Sequence, residues 1–510
     1  MTMPEQGQPA QDQETVFAFL ASSEPRYTRI DTHASIVFLG KDRVLKIKRA
    51  VRLPFLDYST LERRKWACEE ELTINRRFAP DIYQRIVPIT QGHNGLEIGG
   101  DGPAIEWAVE MTRFDENKTF DHLARAGHIT PELDETLAVT IRDMHQRAEI
   151  SDGSSWLASI EGIIDRNTRM FREEAQLPRQ LVERLDAASR QSLAESRPLL
   201  HMRASEGLVR RCHGDAHLGN IALIDEKPVL FDAIEFDPVI ATTDILYDLA
   251  FPIMDFCRFG LAACANRLFN AYLQTAWQEN AAALRLLPLF LSMRAAIRSN
   301  VLFTKCHLSP DKDHDATDAR AYFDLALRHI EPAQPSLIAI GGKSGTGKSV
   351  LAREIAPLLE PLPGAFLLRS DVVRKELFSV DPLTALPADA YIPEITARVY
   401  RTLAARSQKI LDQGISVIVD ATFLKQTERD TLSAAAQNLG VPFRAVFLTA
   451  DLGVRLDRIG ARKRDASDAT TEIAAGQEGR EIGKIDWPII NASGSPEQTL
   501  ERSKPVLAPK

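Results

Sequence analysis

Residues 211–223 read RCHGDAHLGNIAL, and the apolar run KPVLFDAIEFD follows at 227–237. His213, Asp215, His217 and Asn220 are interleaved with Gly214 and Gly219, so they share one tight turn directly before a strand. Phosphoryl transfer asks for a carboxylate that orients or deprotonates an acceptor hydroxyl, and for oxygen ligands to magnesium. Asp215, Asn220 five residues on, and Asp232 at the end of the next strand meet that demand. The competing reading is a transition-metal site of the form His-x-Asp-x-His. It would need alternating residues on a strand, and it leaves the glycines and the asparagine without a purpose.

HGDAHLGN resembles the H-G-D-x-H-x-x-N loop of aminoglycoside phosphotransferases and choline kinases. The resemblance spans about residues 25–330 and implies a bilobal, protein-kinase-like fold, with a small lobe over 25–112 and a helical lobe over 113–330. It implies Asp215 as the catalytic carboxylate, Asn220 and Asp232 as magnesium ligands, and His213 and His217 as residues that shape the loop. Such a fold also needs a strand lysine and a helix glutamate. DRVLKIKRA offers Lys46 and Lys48 on one strand face; Lys46 is assigned to the phosphates, with Lys48 as rival. CEEELTINRRF offers Glu69, Glu70 and Glu71, of which Glu71 is assigned as the lysine's partner. Backbone near Met111 would meet adenine. One departure is the missing G-x-G-x-x-G cover: only DTHASIVFLG stands there, with Ala34 and Ser35 to admit phosphates. Asp244 and Asp248, in TTDILYDLAF, are expected to brace the catalytic loop.

A second phosphate motif lies at 341–349, GGKSGTGKS. It contains G-x-x-x-x-G-K-[ST], the P-loop (Walker A) pattern, between a strand (LIAIG) and a helix (SVLAREIAPLL). Gly342, Lys343, Ser344, Gly345, Thr346, Gly347, Lys348 and Ser349 form the expected nucleotide cradle, with Ser349 on magnesium. LLRSDVVRKEL then places Asp371 and Arg374 one helical turn apart, and ISVIVDATF ends its strand at Asp420, a position for a magnesium carboxylate. An N-cap aspartate followed by a solvated arginine is the plain alternative for Asp371 and Arg374. RLDRIGARKRDASDA sets Arg458 and Arg462 at i, i+4, read either as a mobile arginine lid or as a solvated basic helix. This half resembles the P-loop small-molecule kinases grouped with phage polynucleotide kinase and the zeta-toxin sugar-nucleotide kinases. The resemblance covers roughly 170 residues and implies Asp371 as general base, Arg374 as substrate or phosphate clamp and Arg462 as lid arginine. INASGSPEQT looks like that family's last strand and loop, with Ser495 capping a helix that Pro496 begins.

The fold expected is α/β and α+β. A flexible N-terminus (1–24) and the kinase-like domain (25–330) are followed by a linker (331–336) and a P-loop domain (337–510), whose strand–helix alternation predicts a parallel sheet. The net charge of -8 is uneven: residues 1–335 carry 39 Lys+Arg against 49 Asp+Glu, or -10, and residues 336–510 carry 23 against 21, or +2. Neither part has the basic excess of a protein that grips a long polyanion, which favours small hydroxylated acceptors over nucleic acid. No apolar run approaches the ~18 residues that span a bilayer, and the start lacks a signal pattern, so a cytoplasmic protein without membrane contact is expected. Five cysteines without a C-x-x-C pattern argue against a disulfide framework. The whole chain resembles bacterial tandem proteins described as bifunctional aminoglycoside phosphotransferase/ATP-binding proteins. This implies a kinase using ATP, or GTP, with Mg²⁺. Two other readings stay open: a polynucleotide 5'-hydroxyl kinase in the second half, and a first half that only binds nucleotide and regulates the P-loop domain.

Overall fold

The computed structural model describes residues 10–23, 27–32, 34–53, 56–93, 95–174, 177–306, 312–462, 465–479 and 482–508. Backbone contacts divide the chain into two units, residues 1–160 with 200–252, and residues 161–199 with 253–510. The expected linker at 331–336 therefore lies inside the second unit, and the stretch expected as one helical lobe, 113–330, is divided between the two.

The first unit is built on six strands, β1 (Thr28–Asp31), β2 (Ser35–Leu39), β3 (Arg43–Lys48), β4 (Tyr83–Gly92), β5 (Gly95–Ile98) and β6 (Ala104–Thr112). They pair antiparallel in the order β1-β2-β3-β6-β4-β5. The two-residue period of β3 sends Leu45 and Ile47 to one face and Val44, Lys46 and Lys48 to the other. Leu45 and Ile47 pack in one core with Val16, Phe17 and Leu20 of helix α1 (Ala10–Ser22). The N-terminus expected to be flexible thus contains a core helix: the polar AQDQET at its start hides the apolar VFAFL that follows. Residues 1–9 and 24 lie outside the described residues.

On the other face lies helix α2 (Leu61–Asn75), begun by Thr60, whose hydroxyl accepts the Arg63 N–H at 3.4 Å. Its Cys68 joins Val44, Tyr83, Val109 and Met111 in a second core. Further along the unit, helix α3 (Pro131–Arg147) lies against a hairpin of β7 (Ile221–Ile224) and β8 (Lys227–Leu230). Its turn residues Asp225 and Glu226 both take left-handed backbone angles, φ 47° and 59°.

The second unit holds a five-stranded parallel sheet of β9 (Leu337–Gly342), β10 (Phe366–Arg369), β11 (Val417–Asp420), β12 (Phe443–Thr449) and β13 (Ile489–Asn491). Its order is β10-β11-β9-β12-β13. β9 is buried at every position, as its unbroken apolar run LIAIGG requires of a central strand. Helix α4 (Ala262–Thr275) lies against the edge strand β10. Asn266 donates to the Pro363 and Ala365 carbonyls, both at 3.0 Å. Asn270 donates to Ala365 O at 3.1 Å and accepts the Leu367 N–H at 2.8 Å. Helices α5 (Leu287–Cys306) and α6 (Lys312–Ile330) pack on one another. Among the described residues, Trp277–Cys306 is long and apolar enough to cross a membrane by length and composition, and most of it is buried inside the protein. The sequence reading found no such run because Arg285, Arg294 and Arg298 interrupt it. None of the five cysteines forms a disulfide.

His329, near the end of α6, is 4% exposed and neither ring nitrogen has a hydrogen-bond partner. Burial, helped by the neighbouring Arg328 charge, lowers its pKa to about 3. The unfolded chain binds a proton at this residue below about pH 6.5 while the folded chain resists it, so stability falls as pH drops from there toward the folded value. At pH 5 this costs about 2 kcal/mol. Denaturant unfolding at pH 7.5 and 5.0 is expected to show His329→Leu losing about 2 kcal/mol less than the unchanged protein over that interval.

Candidate active sites

In the first unit the α2 face of β3 brings together residues far apart in sequence. Lys46 Nζ lies 2.8 Å from Glu71 Oε1 and 2.6 Å from Asp232 Oδ1. Glu71 is 0% exposed, whereas Glu69 and Glu70 are not buried, so the helix period picks one inward carboxylate of the three. Lys48 reaches the other oxygen of Glu71 at 2.7 Å and pairs with Glu235. Burial opposes the charge on both lysines, but the carboxylates around them outweigh it and raise both well above the ordinary lysine range. Burial would raise the Asp232 carboxyl; the Lys46 ammonium outweighs it and holds it below the usual carboxylate range.

Asp232 has a left-handed backbone, φ 60°, that a non-glycine residue adopts only when its surroundings fix it. Three contacts do so. Its N–H donates to Tyr83 Oη at 3.1 Å, the Ala233 N–H donates to Asn75 Oδ1 at 2.7 Å, and the Ile234 N–H donates to His213 O at 3.1 Å. The turn opposite is equally specified. Buried His213 bonds through Nε2 to Phe231 O at 2.9 Å, and burial lowers its pKa. Asn220 donates through Nδ2 to Asp215 O at 2.9 Å and to Asp215 Oδ2 at 3.3 Å. His217 caps the short 3₁₀ turn at Leu218–Asn220 by accepting the Gly219 N–H at 3.1 Å. Asp248 accepts the Gly214 N–H at 2.9 Å and meets His145 at 3.2 Å, and Asp244 binds Arg203; both aspartates brace this turn and the strands leading into it.

In the second unit the loop after β9 opens a cavity of about 1160 Å³. Gly342 has φ 143°, and a Cβ there would meet Leu448 O at 2.6 Å, so no other residue fits. Gly347, at φ 90°, starts helix α7 (Lys348–Ile355). The Ser349 hydroxyl donates to Asp420 Oδ2 at the end of β11. Lys348 donates to Lys343 O at 3.1 Å, and burial lowers its pKa. Asp371 lies in the first turn of helix α8 (Ser370–Leu377) and lines the same cavity; burial and the nearby Asp420 charge raise its pKa.

Two family descriptions match this chain. Residues 37–286 match the phosphotransferase enzyme family, and residues 337–480 match the AAA domain. The chain is a kinase with these two domains in tandem. An uncharacterized protein of Mycobacterium tuberculosis, Rv2004c, is 28% identical over 501 residues, covering 95% of this chain and 96% of the relative. Among solved structures, a choline/ethanolamine kinase family protein from Mesorhizobium loti is similar at 13% identity and TM-score 0.36, covering 62% of this chain and 99% of that one. A gluconokinase from Sinorhizobium meliloti is similar at 20% identity and TM-score 0.24, covering 33% of this chain and 90% of that one.

The phosphotransferase domain gathers Lys46, Glu71 and Asp232 by direct contact and Asp215 with Asn220 on the adjoining turn. Met111 is 8% exposed near the end of β6, within the α2-side core. In the P-loop domain, Ser344, Gly345, Thr346, Gly347, Lys348 and Ser349 line the cavity, and Lys343 turns to Glu478 at 3.1 Å. Arg374 lines it too, donating to Ala390 O at 2.7 Å and lying 4.7 Å from the Tyr391 ring centre. Arg458 and Arg462 both line the cavity but do not share a helix, since helix α9 (Leu452–Gly460) ends before Arg462. Ser495 caps the last helix by accepting the Gln498 N–H at 3.4 Å, with Pro496 as its first residue.

Sequence reading did not single out Glu235, Asn75 or Tyr83, which fix the lysines and Asp232, nor Gln477, which accepts the Ser344 N–H at 2.8 Å. No periodicity marks them, because each acts across more than a hundred residues of chain or from a turn. Arg203 and Asp244, both fully buried, form a two-pronged pair at 2.6 and 2.7 Å. Arg203→Met leaves the carboxylate buried without its cation and is expected to cost about 3–5 kcal/mol in denaturant unfolding.

Proposed function

We propose that both domains transfer the γ-phosphate of ATP, with magnesium, to a hydroxyl group of a small molecule such as a sugar, nucleoside, sugar nucleotide or aminoglycoside-like alcohol. The observation that carries this reading is that, in each unit, a lysine from a strand or P-loop stands beside oxygen ligands and a carboxylate free to face an acceptor. In the first unit these are Lys46, Asp232, Asn220 and Asp215. In the second they are Lys348, Ser349, Asp420 and Asp371 on one cavity.

The donor sets fit a hard divalent cation. Asp232 is 43% exposed on its side chain, and Asn220 uses its amide nitrogen on Asp215, which leaves the amide oxygen for a cation. Ser349 with Asp420 offers a hydroxyl and a carboxylate at the helix start after the P-loop. Magnesium held there would neutralise phosphate oxygens during transfer. Lys46 and Lys348 are assigned to the phosphates, with Glu71 orienting Lys46. Asp215 and Asp371 orient the acceptor hydroxyl and accept its proton. The raised pKa of Asp371 suits a base working nearer neutral pH. Arg374 and Arg462 are assigned to the acceptor or the transferring phosphate, and the backbone near Met111 to adenine.

Incubating the full chain with γ-labelled ATP and panels of sugars, nucleosides and aminoglycosides tests the proposal. Asp215→Ala and Asp371→Ala are each expected to lose one phosphorylation by about 10²–10⁴-fold and to keep the other. Identical product profiles for both variants and the unchanged protein would reject it. Loss of both phosphorylations in Asp371→Ala alone would instead assign the first domain a regulatory role.

A further inference from the structure

Five charged side chains of the first unit alternate in sign along one line: Asp232, Lys46, Glu71, Lys48 and Glu235. Neighbours touch throughout, Lys46 at 2.6 and 2.8 Å from Asp232 and Glu71, and Lys48 at 2.7 Å from Glu71 and against Glu235. The inner members are closed to water, Glu71 at 0%, Lys48 at 2% and Glu235 at 6% exposure, while the Asp232 end is open. A strand lysine and a helix glutamate need only one lysine to form their pair. Here a second lysine, two residues along the same strand face, holds the other oxygen of the same glutamate.

We propose that Lys48 is a resident counter-ion, held by Glu235, which keeps Glu71 neutralised so that Lys46 is free to exchange Asp232 for the phosphates of a nucleotide. This rests on the phosphotransfer reading above. If Lys46 were the only cation on Glu71, any movement toward a ligand would leave a buried carboxylate bare, the costly state of an ion pair that has lost one partner. With Lys48 in place, Glu71 always retains a cation. Lys48 cannot itself face the ligand, because it is enclosed between Glu71 and Glu235 with the Tyr58 ring 5.4 Å away. Lys48 and Glu235 are therefore positioning residues, and Lys46 is the mobile one.

The sharing is tested without catalysis. Lys46→Met leaves Glu71 with Lys48, and the charge-balanced Lys48→Met/Glu235→Gln leaves it with Lys46; the triple variant leaves it bare. In thermal melting of the full chain, the triple variant is expected to fall more than about 5 °C beyond the sum of the other two shifts. Additive shifts overturn the sharing. The positioning role is read in the affinity for MgATP of the Asp371→Ala/Lys348→Ala background, which silences the second centre. There Lys48→Met/Glu235→Gln is expected to raise Kd about ten-fold or more, and Lys48→Arg to keep it near that of the background. An unchanged Kd in the charge-balanced variant overturns that role. If the background itself binds no MgATP, the nucleotide reading falls and the melting comparison still decides whether Glu71 is shared.

Discussion

Glu71 is a carboxylate with no exposure to water, and such a group persists in a fold only when cations meet it. Lys46 and Lys48 do so from β3, which fixes the height and rotation of α2 against the sheet. One helical turn later, Asn75 accepts the Ala233 N–H and donates to Ala233 O at 3.3 Å. The same helix that meets the lysines therefore also sets the turn that presents Asp232. That turn is tied in its other direction to His213, and through Gly214 and Asp248 to the loop bearing Asp215. A displacement of α2 would be felt at the lysine, at Asp232 and at the loop together. The helix acts less as a cover for the sheet than as a common reference for the charged groups.

The second unit solves the same problem with backbone instead of a helix side chain. Its glycines bend the loop after the central strand, and the Ser349 hydroxyl joins α7 to Asp420 on the neighbouring strand β11. Asp420 is also approached by Arg369 at 3.5 Å, which in turn reaches Asp465 at 3.0 Å. Lys375 and Asp468, 2.8 Å apart, add a second tie between α8 and the segment after Arg462. Asp371 is thereby carried on a helix anchored at both ends, beside a loop fixed by geometry. A group that must aim at a reacting atom gains from such anchoring.

What the sequence disclosed follows from how local each signal is. The P-loop is legible because its chemistry is contiguous: strand, glycines, lysine and helix lie within twenty residues. The Asp215–Asn220 turn is legible for the same reason. Asp232 could be placed because its strand follows at once, and Glu71 only because a helix of three glutamates can turn one inward. Glu235, Tyr83 and Asn75 were not legible, since their partners are set by tertiary packing across 158 residues in the case of Asn75. The N-terminal helix was hidden by its polar first turn. The contact division at Ile160, Leu200 and Pro252 was not legible, because composition marks where a pattern changes, and not which helices share a core.

That division has a consequence for how the protein could be taken apart. The outer edge of the parallel sheet is finished by amides borrowed from α4, which lies well before the apparent junction at 331–336. A cut at that junction would strip Ala365 and Leu367 of those partners and uncover a row of main-chain donors and acceptors beside Phe366, an invitation to self-association. The helices that look in sequence like the tail of the first domain serve as the missing selvedge of the second. The fusion is thus woven rather than joined.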